Sequence, residues 1–163
     1  MKKALPYVLV GYIIFVFVQS LFFKFAGSEE TMIIFTTIAE WMQGIPVLNL
    51  IAGPFGAVGG YVIGTVELIA AGLLLFAGTR VYGALISLGV ISGAIFFHLF
   101  TPLGVNRVVD AAGNTDGGAL FFMAVGVWVA SATLTYLNRR RLPFRFSRSD
   151  VAVDLPAGAH GVQ

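Results

Sequence analysis

The chain has 163 residues, of which 58% are hydrophobic and only 11% are charged, and its net charge is +2. Its mean hydropathy is +0.90, whereas soluble domains carry about a quarter charged residues. These values argue against a water-soluble domain and a nucleic-acid-binding surface, and they predict an all-α membrane protein surrounded by a lipid bilayer. Because the sequence contains no cysteine, it has no disulfide and no thiolate metal site, and no metal site of another kind is predicted.

Four apolar windows are each long enough to cross about 30 Å of hydrocarbon as a helix. They cover residues 4–23, 58–77, 82–100 and 119–137, and they lack the alternation of barrel strands. The first window is interpreted as a retained helix, because no small-x-small cleavage pattern follows Phe23. The sequence therefore predicts a four-helix transmembrane bundle over residues 1–140 and a disordered tail over residues 141–163.

The connection between the first two windows contains a helix of its own. Ser28 is a capping residue, and Glu29 and Glu30 then place acids beside the positive end of a helix. Apolar and polar side chains separate onto two faces in the residues that follow. The apolar face is Ile34, Phe35, Ile38, Trp41 and Met42, and the polar face is Glu29, Thr36, Glu40 and Gln43. We expect a short amphipathic helix at the membrane surface in the first outer loop, ending at Gly44, and then a non-helical crossing through residues 45–56.

Basic residues near the predicted spans indicate the topology, because lysine and arginine concentrate on the cytoplasmic side. With the N-terminus in the cytoplasm, only Lys24 and Arg107 lie in the outer loops. The cytoplasmic set is Lys2, Lys3, Arg80, Arg139, Arg140, Arg141, Arg145 and Arg148. This asymmetry predicts a multi-pass protein of a bacterial cytoplasmic (inner) membrane with both termini in the cytoplasm.

The second outer loop, residues 101–118, is rich in glycine and short polar side chains. Its Asp110, Asn114 and Asp116 do not match the spacing of a calcium-binding loop. We interpret these three residues as turn formers.

Glu67 lies near the middle of the second window, where a charge costs several kcal/mol unless it is compensated. Such a residue is expected to face the bundle. The repeated small residues Gly56, Gly60 and Gly64 predict close helix contacts along the same helix. Two interpretations of Glu67 remain open: a protonated acid hydrogen-bonded between helices, or a proton-accepting or ligand-binding carboxyl.

Lys24 and His98 complete the candidate polar cluster. His98 ends the third window and is expected to point into the bundle, either as a structural hydrogen-bonding residue or as a catalytic or quinone-contacting one. Lys24 either extends to the membrane surface or reaches Glu67 or Glu40. Counting the helical rise places Glu67 about 14 Å deep, so a direct Lys24–Glu67 contact requires helix tilt or an intervening water. The residues expected to extend the cluster are Gln19, Tyr61 and Thr65.

Four short segments, in their order and spacing, resemble DoxX-like (DoxX/DoxD) integral membrane proteins. They are SLFFKF at 20–25, FTTIA at 35–39, VELIAAG at 66–72 and FFH at 96–98. The similarity covers residues 8–137. It implies a four-helix membrane fold and an association with quinone-linked sulfur or thiol oxidation, and it marks Lys24, Glu67 and His98 as the candidate catalytic residues.

Three functions follow as hypotheses. The first is a membrane subunit that supports quinone-linked redox chemistry, with quinone as the cofactor and a redox protein as the partner. The second is a non-catalytic scaffold or assembly protein whose glycine ladder and amphipathic helix bind another membrane protein or a second copy of the chain. The third is a small-solute or proton-coupled transporter, although the chain shows no inverted repeat. Whether the chain is itself an enzyme is left open by the sequence.

Overall fold

The structure is a computed structural model that describes residues 4–141. The helices are α1 (Leu5–Phe25), α2 (Glu29–Gln43), α3 (Asn49–Leu75), α4 (Arg80–Phe100) and α5 (Ala119–Asn138), followed by a 3₁₀ turn at Arg139–Arg141. Within these residues the only β-type pairing is an isolated bridge between Val108 and Thr115. The tail predicted to be disordered lies outside the described residues from residue 142 onward.

Helices α1, α3, α4 and α5 are long and apolar enough to cross a membrane. The predicted all-α fold with four transmembrane helices is confirmed, and the chain is a multi-pass membrane protein. In the most apolar window of α1 only 28% of the residues are buried inside the protein. Most of the apolar surface of this helix is therefore available to lipid.

The four spanning helices form a closed ring. Helix α1 packs against α3 and α5, α3 packs against α4, and α4 packs against α5. The centre of the ring is filled by fully buried apolar side chains, among them Ile13, Leu74, Val127 and Leu134. Helix α2 lies on α3 at the end of the bundle that carries Lys24, which is called the α2 end below.

Helix α2 has the predicted capping and amphipathic pattern. The Ser28 hydroxyl accepts a hydrogen bond from the Thr31 amide at 3.2 Å, and Gly44 follows the last helical residue. Phe35 and Met42 are buried, whereas Glu40 is exposed. Because Phe35 contacts glycines of α3, the apolar face of α2 is used within the protein.

Helix α3 begins at Asn49, so the predicted non-helical crossing through residues 45–56 is wrong beyond its first residues. Pro54 lies inside the helix, where it has no amide to donate to the preceding turn, a loss that membrane helices tolerate. The glycines of this stretch are positions of close contact. A Cβ on Gly59 would lie 2.8 Å from Cδ1 of Phe35, so only glycine lets α2 approach this closely.

The predicted glycine ladder of α3 is in contact with helices of the same chain. A Cβ on Gly60 would lie 3.1 Å from Cγ2 of Thr31, in α2. One turn later, a Cβ on Gly64 would lie 3.4 Å from Cδ2 of Leu21 and from Cδ of Lys24, both in α1. The close packing expected from the small residues is therefore confirmed, and α1 and α2 are its partners.

Candidate functional site

Lys24 and Glu67 form a direct ion pair between α1 and α3. The Nζ of Lys24 lies 2.7 Å from Oε1 and 2.6 Å from Oε2 of Glu67, and it also donates to the Ser20 hydroxyl one turn earlier in α1. The two charged side chains are only 14% and 6% exposed. The contact therefore needs no bridging water. Ser20 is a member of the site that the sequence did not single out, although its spacing of four residues from Lys24 places both on one helix face.

Gly64 marks the point at which Lys24 lies against α3. Lys24 lies in the last turn of α1, and its aliphatic stem lies along α3 at the level of Gly64. Glu67 follows Gly64 by three residues, which places it on the same face of α3. The ammonium group therefore reaches the carboxylate with the lysine extended toward the interior of the bundle.

His98 lies in the last turn of α4 and is 7% exposed. Its Nδ1 is 2.6 Å from the carbonyl oxygen of Gly104, in the loop that follows α4. Because a carbonyl oxygen only accepts hydrogen bonds, Nδ1 is the donor of this contact, and in the neutral form of the ring Nε2 is then an acceptor. The ring packs edge to face against Phe121 at a centroid distance of 5.8 Å. Within residues 4–141, no protein group hydrogen-bonds Nε2.

A cavity of about 330 Å³ lies inside the α2 end of the bundle and is lined by residues of all five helices. Lys24, Glu67 and His98 all line this cavity, so the structure brings the three predicted site residues to one place. Most of the remaining wall is apolar, including Phe17, Phe35, Ile38, Ile91 and Phe97. The cavity is therefore a hydrophobic pocket with a few polar groups, the usual composition of a small-molecule site.

The cavity opens sideways between two helices. Of its lining residues, only Gln19, Phe23 and Ala119 are exposed. The first two lie in the last two turns of α1, and Ala119 is the first residue of α5. The neighbouring surface is apolar, since Phe22 is 73% and Phe122 67% exposed. The exposed part of the cavity wall therefore adjoins apolar surface of α1 and α5.

Arg107 is a buried residue of the loop between α4 and α5 that the sequence treated only as a loop charge. It is 2% exposed and pairs with Glu30 of α2 and, through Nε at 3.5 Å, with Asp116. Asp116 also accepts hydrogen bonds from the amides of Gly118 and Leu120 at the start of α5. Arg107 therefore fastens the loop to both α2 and α5. The sequence signal for this role was a single arginine in a loop, with acidic residues in the segments on both sides of it.

The electrostatics of Asp116 reflect this arrangement. Partial burial opposes its ionisation, but the amide donors of Gly118 and Leu120 and the charge of Arg107 together lower the pKa of Asp116 below its ordinary value. In the same loop, hydrogen bonds from Asn114 lower the pKa of Asp110. The interpretation of these residues as turn formers is confirmed, and Asp116 carries an ion pair in addition.

The three residues expected to extend the polar cluster lie in three different places. Gln19 lines the cavity. Thr65 is exposed and donates to the Tyr61 carbonyl of its own helix at 2.8 Å, so it does not join the cluster. Tyr61 lines a second cavity of about 300 Å³, which shares Lys24 with the first. The alternative Lys24 partner, Glu40, is exposed on α2, and Lys24 pairs with Glu67 instead.

The fold and the site together define a four-helix membrane protein with a buried lysine–glutamate pair and a histidine around an apolar cavity whose exposed wall lies on α1 and α5. Comparison of the chain with protein-family models, with curated proteins and with solved structures finds no match.

Proposed function

We propose that this protein is a DoxX-like subunit of a bacterial inner membrane that binds a quinone and supports quinone-linked oxidation of sulfur compounds or thiols. The observation that carries the proposal is the apolar cavity that gathers Lys24, Glu67 and His98 and opens between α1 and α5. The resemblance of the segments around these residues to DoxX-like proteins supports the sulfur or thiol chemistry.

The size and lining of the cavity suit a ligand with a lipophilic body and a polar head. Its volume of about 330 Å³ lies at the lower end of the range for small-molecule pockets, about 300–1,000 Å³. A quinone ring would occupy the cavity, and its isoprenoid tail would leave through the opening into the bilayer. A water-soluble ligand would not need an opening on the lipid side.

Quinone reduction requires two electrons and two protons for each quinol formed. The chain contains no cysteine, so the electrons come from a thiol, a reduced sulfur compound or a redox protein bound to the subunit. The residues that line the cavity supply groups that can transfer the two protons. Glu67 and His98 carry the kinds of group that donate and accept protons in enzymes, and they lie on two different helices around the cavity.

The predicted topology adds a direction to this proposal. With both termini in the cytoplasm, the α2 end and the cavity lie on the periplasmic side of the membrane. An electron-donating partner would then approach from the periplasm, where the loop held by Arg107 covers the bundle.

The scaffold hypothesis is less well supported by the packing. The two surfaces on which it depended are both occupied within the chain, because the glycine ladder contacts α1 and α2 and the apolar face of α2 contacts α3. The transporter hypothesis has no observation of its own in its favour. Because the cavity gathers the three candidate site residues, ligand binding is a stronger proposal than scaffolding or transport.

The test is purification in a mild detergent from quinone-containing membranes, followed by extraction and chromatography of bound quinone. We expect close to one bound quinone or quinol per protein, and in Glu67→Gln a large loss of bound quinol, whose hydroxyl donates to this carboxylate. Glu40→Gln is the matched control, because it makes the same chemical change on the exposed face of α2. A folded protein that carries no quinone and takes up none of an added short-chain quinone would rule the proposal out.

A further inference from the structure

We infer that the cavity binds the reduced form of its ligand, a quinol with two hydroxyl groups, more tightly than the oxidised quinone. The inference rests on the proposed function and specifies which form of the ligand the site prefers. It follows from counting which hydrogen-bonding positions in the cavity wall are already used and which are free.

The donors of Lys24 are already used. An ammonium group has three N–H donors and no acceptor. In the structure Nζ has three acceptors in hydrogen-bonding contact, namely both carboxylate oxygens of Glu67 and the hydroxyl of Ser20. A ligand carbonyl would have to displace one of these contacts to receive a hydrogen bond from Lys24.

Glu67 has the opposite character. A carboxylate offers about four lone-pair positions and no donor; Lys24 fills one on each oxygen, and the Ser20 hydroxyl donates to the same carboxylate. The remaining positions can only accept. Because Glu67 lines the cavity, a hydroxyl group of a ligand is the natural partner for them.

His98 presents a second acceptor. Nδ1 donates to the Gly104 carbonyl, so in the neutral form of the ring Nε2 has a free lone pair. A ligand hydroxyl can donate to this nitrogen, whereas a ligand carbonyl would meet it lone pair to lone pair.

The other polar groups of the wall do not reverse this preference. Glu30 and Asp116 also line the cavity, and both are carboxylates held by Arg107. The hydroxyl oxygens of Ser20 and Thr31 already accept from Lys24 and from Ser28. Ser20 keeps one lone pair, whereas the Thr31 hydroxyl and the Gln19 amide each keep a donor and an acceptor. None of these three groups therefore favours the quinone. The free positions on Glu67 and His98, which do discriminate between the two forms, are both acceptors.

The quinol and the quinone differ in the hydrogen bonds that their oxygens can make. The hydroxyl groups of a quinol can donate, whereas the carbonyl oxygens of a quinone only accept. A hydrogen bond to a charged group is strong enough to change affinity by about tenfold or more. A tenfold preference for the quinol raises the two-electron reduction potential of the bound couple by about 30 mV relative to the free couple. The bound quinone then becomes a stronger oxidant for a thiol or sulfur donor.

The test compares the affinities of the intact protein, reconstituted in lipid nanodiscs, for a decyl-substituted benzoquinone and for its quinol under anaerobic conditions. We expect the quinol to bind at least about tenfold more tightly. In Glu67→Gln the new amide offers a donor, so the preference should fall toward equality, whereas Glu40→Gln should keep the full ratio.

The outcomes separate this inference from the proposed function. Equal affinities, or tighter binding of the quinone by the unmodified protein, would overturn the inference and leave the quinone site in place. Binding of neither form by a protein with unchanged tryptophan fluorescence would overturn the proposed function, and the inference with it.

Discussion

Lys24→Met and Glu67→Gln break the same ion pair, yet we expect them to destabilise the protein by different amounts. In Lys24→Met the carboxyl of Glu67 stays in the bundle with its side chain 6% exposed and without a cation. Keeping a glutamate with the ordinary pKa of about 4.3 protonated at pH 7 costs about 3.7 kcal/mol. This value sets the upper end of the expected loss.

In Glu67→Gln the uncompensated group is Lys24, which lies in the last turn of α1 and is 14% exposed. Its long side chain can turn its ammonium group toward the membrane surface, so the expected loss is about 1–2 kcal/mol. The double variant removes both charges and should be more stable than the sum of the single effects predicts. A coupling energy of about 2 kcal/mol is expected for a buried pair of this kind.

Acidic pH should reduce the destabilisation of the Lys24→Met variant in particular. Its folded state holds a proton on Glu67 that the unfolded chain releases at pH 7, so its stability rises as the pH falls. The excess destabilisation should shrink to about 1 kcal/mol at pH 5.

The assay is equilibrium unfolding in mixed micelles, followed by the fluorescence of Trp41 and Trp128. These residues report on two packed regions, since Trp41 lies against Phe96 and Phe97 and Trp128 donates to Ser92. Glu40→Gln is the control and should change stability by less than about 0.5 kcal/mol. The reasoning is refuted if Lys24→Met behaves like this control, or if the coupling energy between the two substitutions is close to zero.

Two further predictions concern packing and pH. Gly83→Ala should cost about 1–3 kcal/mol, because its Cβ would lie 2.9 Å from the backbone of Ala70 and Leu74. Gly89→Ala, in the same helix with no atom within 4 Å, should be neutral or stabilising by up to about 1 kcal/mol. Equal losses in mixed-micelle unfolding would contradict the close α3–α4 contact. The lowered pKa of Asp116 predicts that its stabilising effect is complete above about pH 4 and is lost as the pH falls below that value. The stability difference between the unmodified protein and Asp116→Asn should therefore be constant from pH 5 to 7 and shrink between pH 4 and 2. A difference that grew on acidification would contradict this sign.

The sequence predicted helices α1, α4 and α5 nearly to the residue, because the thickness of the bilayer sets the length of an apolar span. It failed at the beginning of α3, which was placed at residue 58 and lies at Asn49. Glycine and proline end helices in water, where free backbone groups can bond to solvent. In this protein the same residues lie inside α3, and their lack of bulky side chains lets α2 pack closely. This role depends on contact with another helix, which a local sequence pattern does not predict.

The members of the site were easier to predict than their contacts. Lys24, Glu67 and His98 stood out because charged and titratable groups are rare in apolar windows. Their meeting depends on the axial offset between α1 and α3, which places Lys24 beside Gly64, and helix periodicity carries no information about that offset. Arg107 was missed for a related reason, since its burial arises only when the loop folds over the α2 end.

The sideways opening between α1 and α5 determines which phase supplies the cavity. A molecule that arrives through acyl chains is present at its bilayer concentration, which for a long-tailed compound exceeds its aqueous concentration by orders of magnitude. The occupancy of the cavity then depends on moles of compound per mole of lipid. Adding empty vesicles would therefore lower the occupancy even when the total amount of compound is unchanged. Two compounds with the same head group would be ranked by how well their tails dissolve in the membrane.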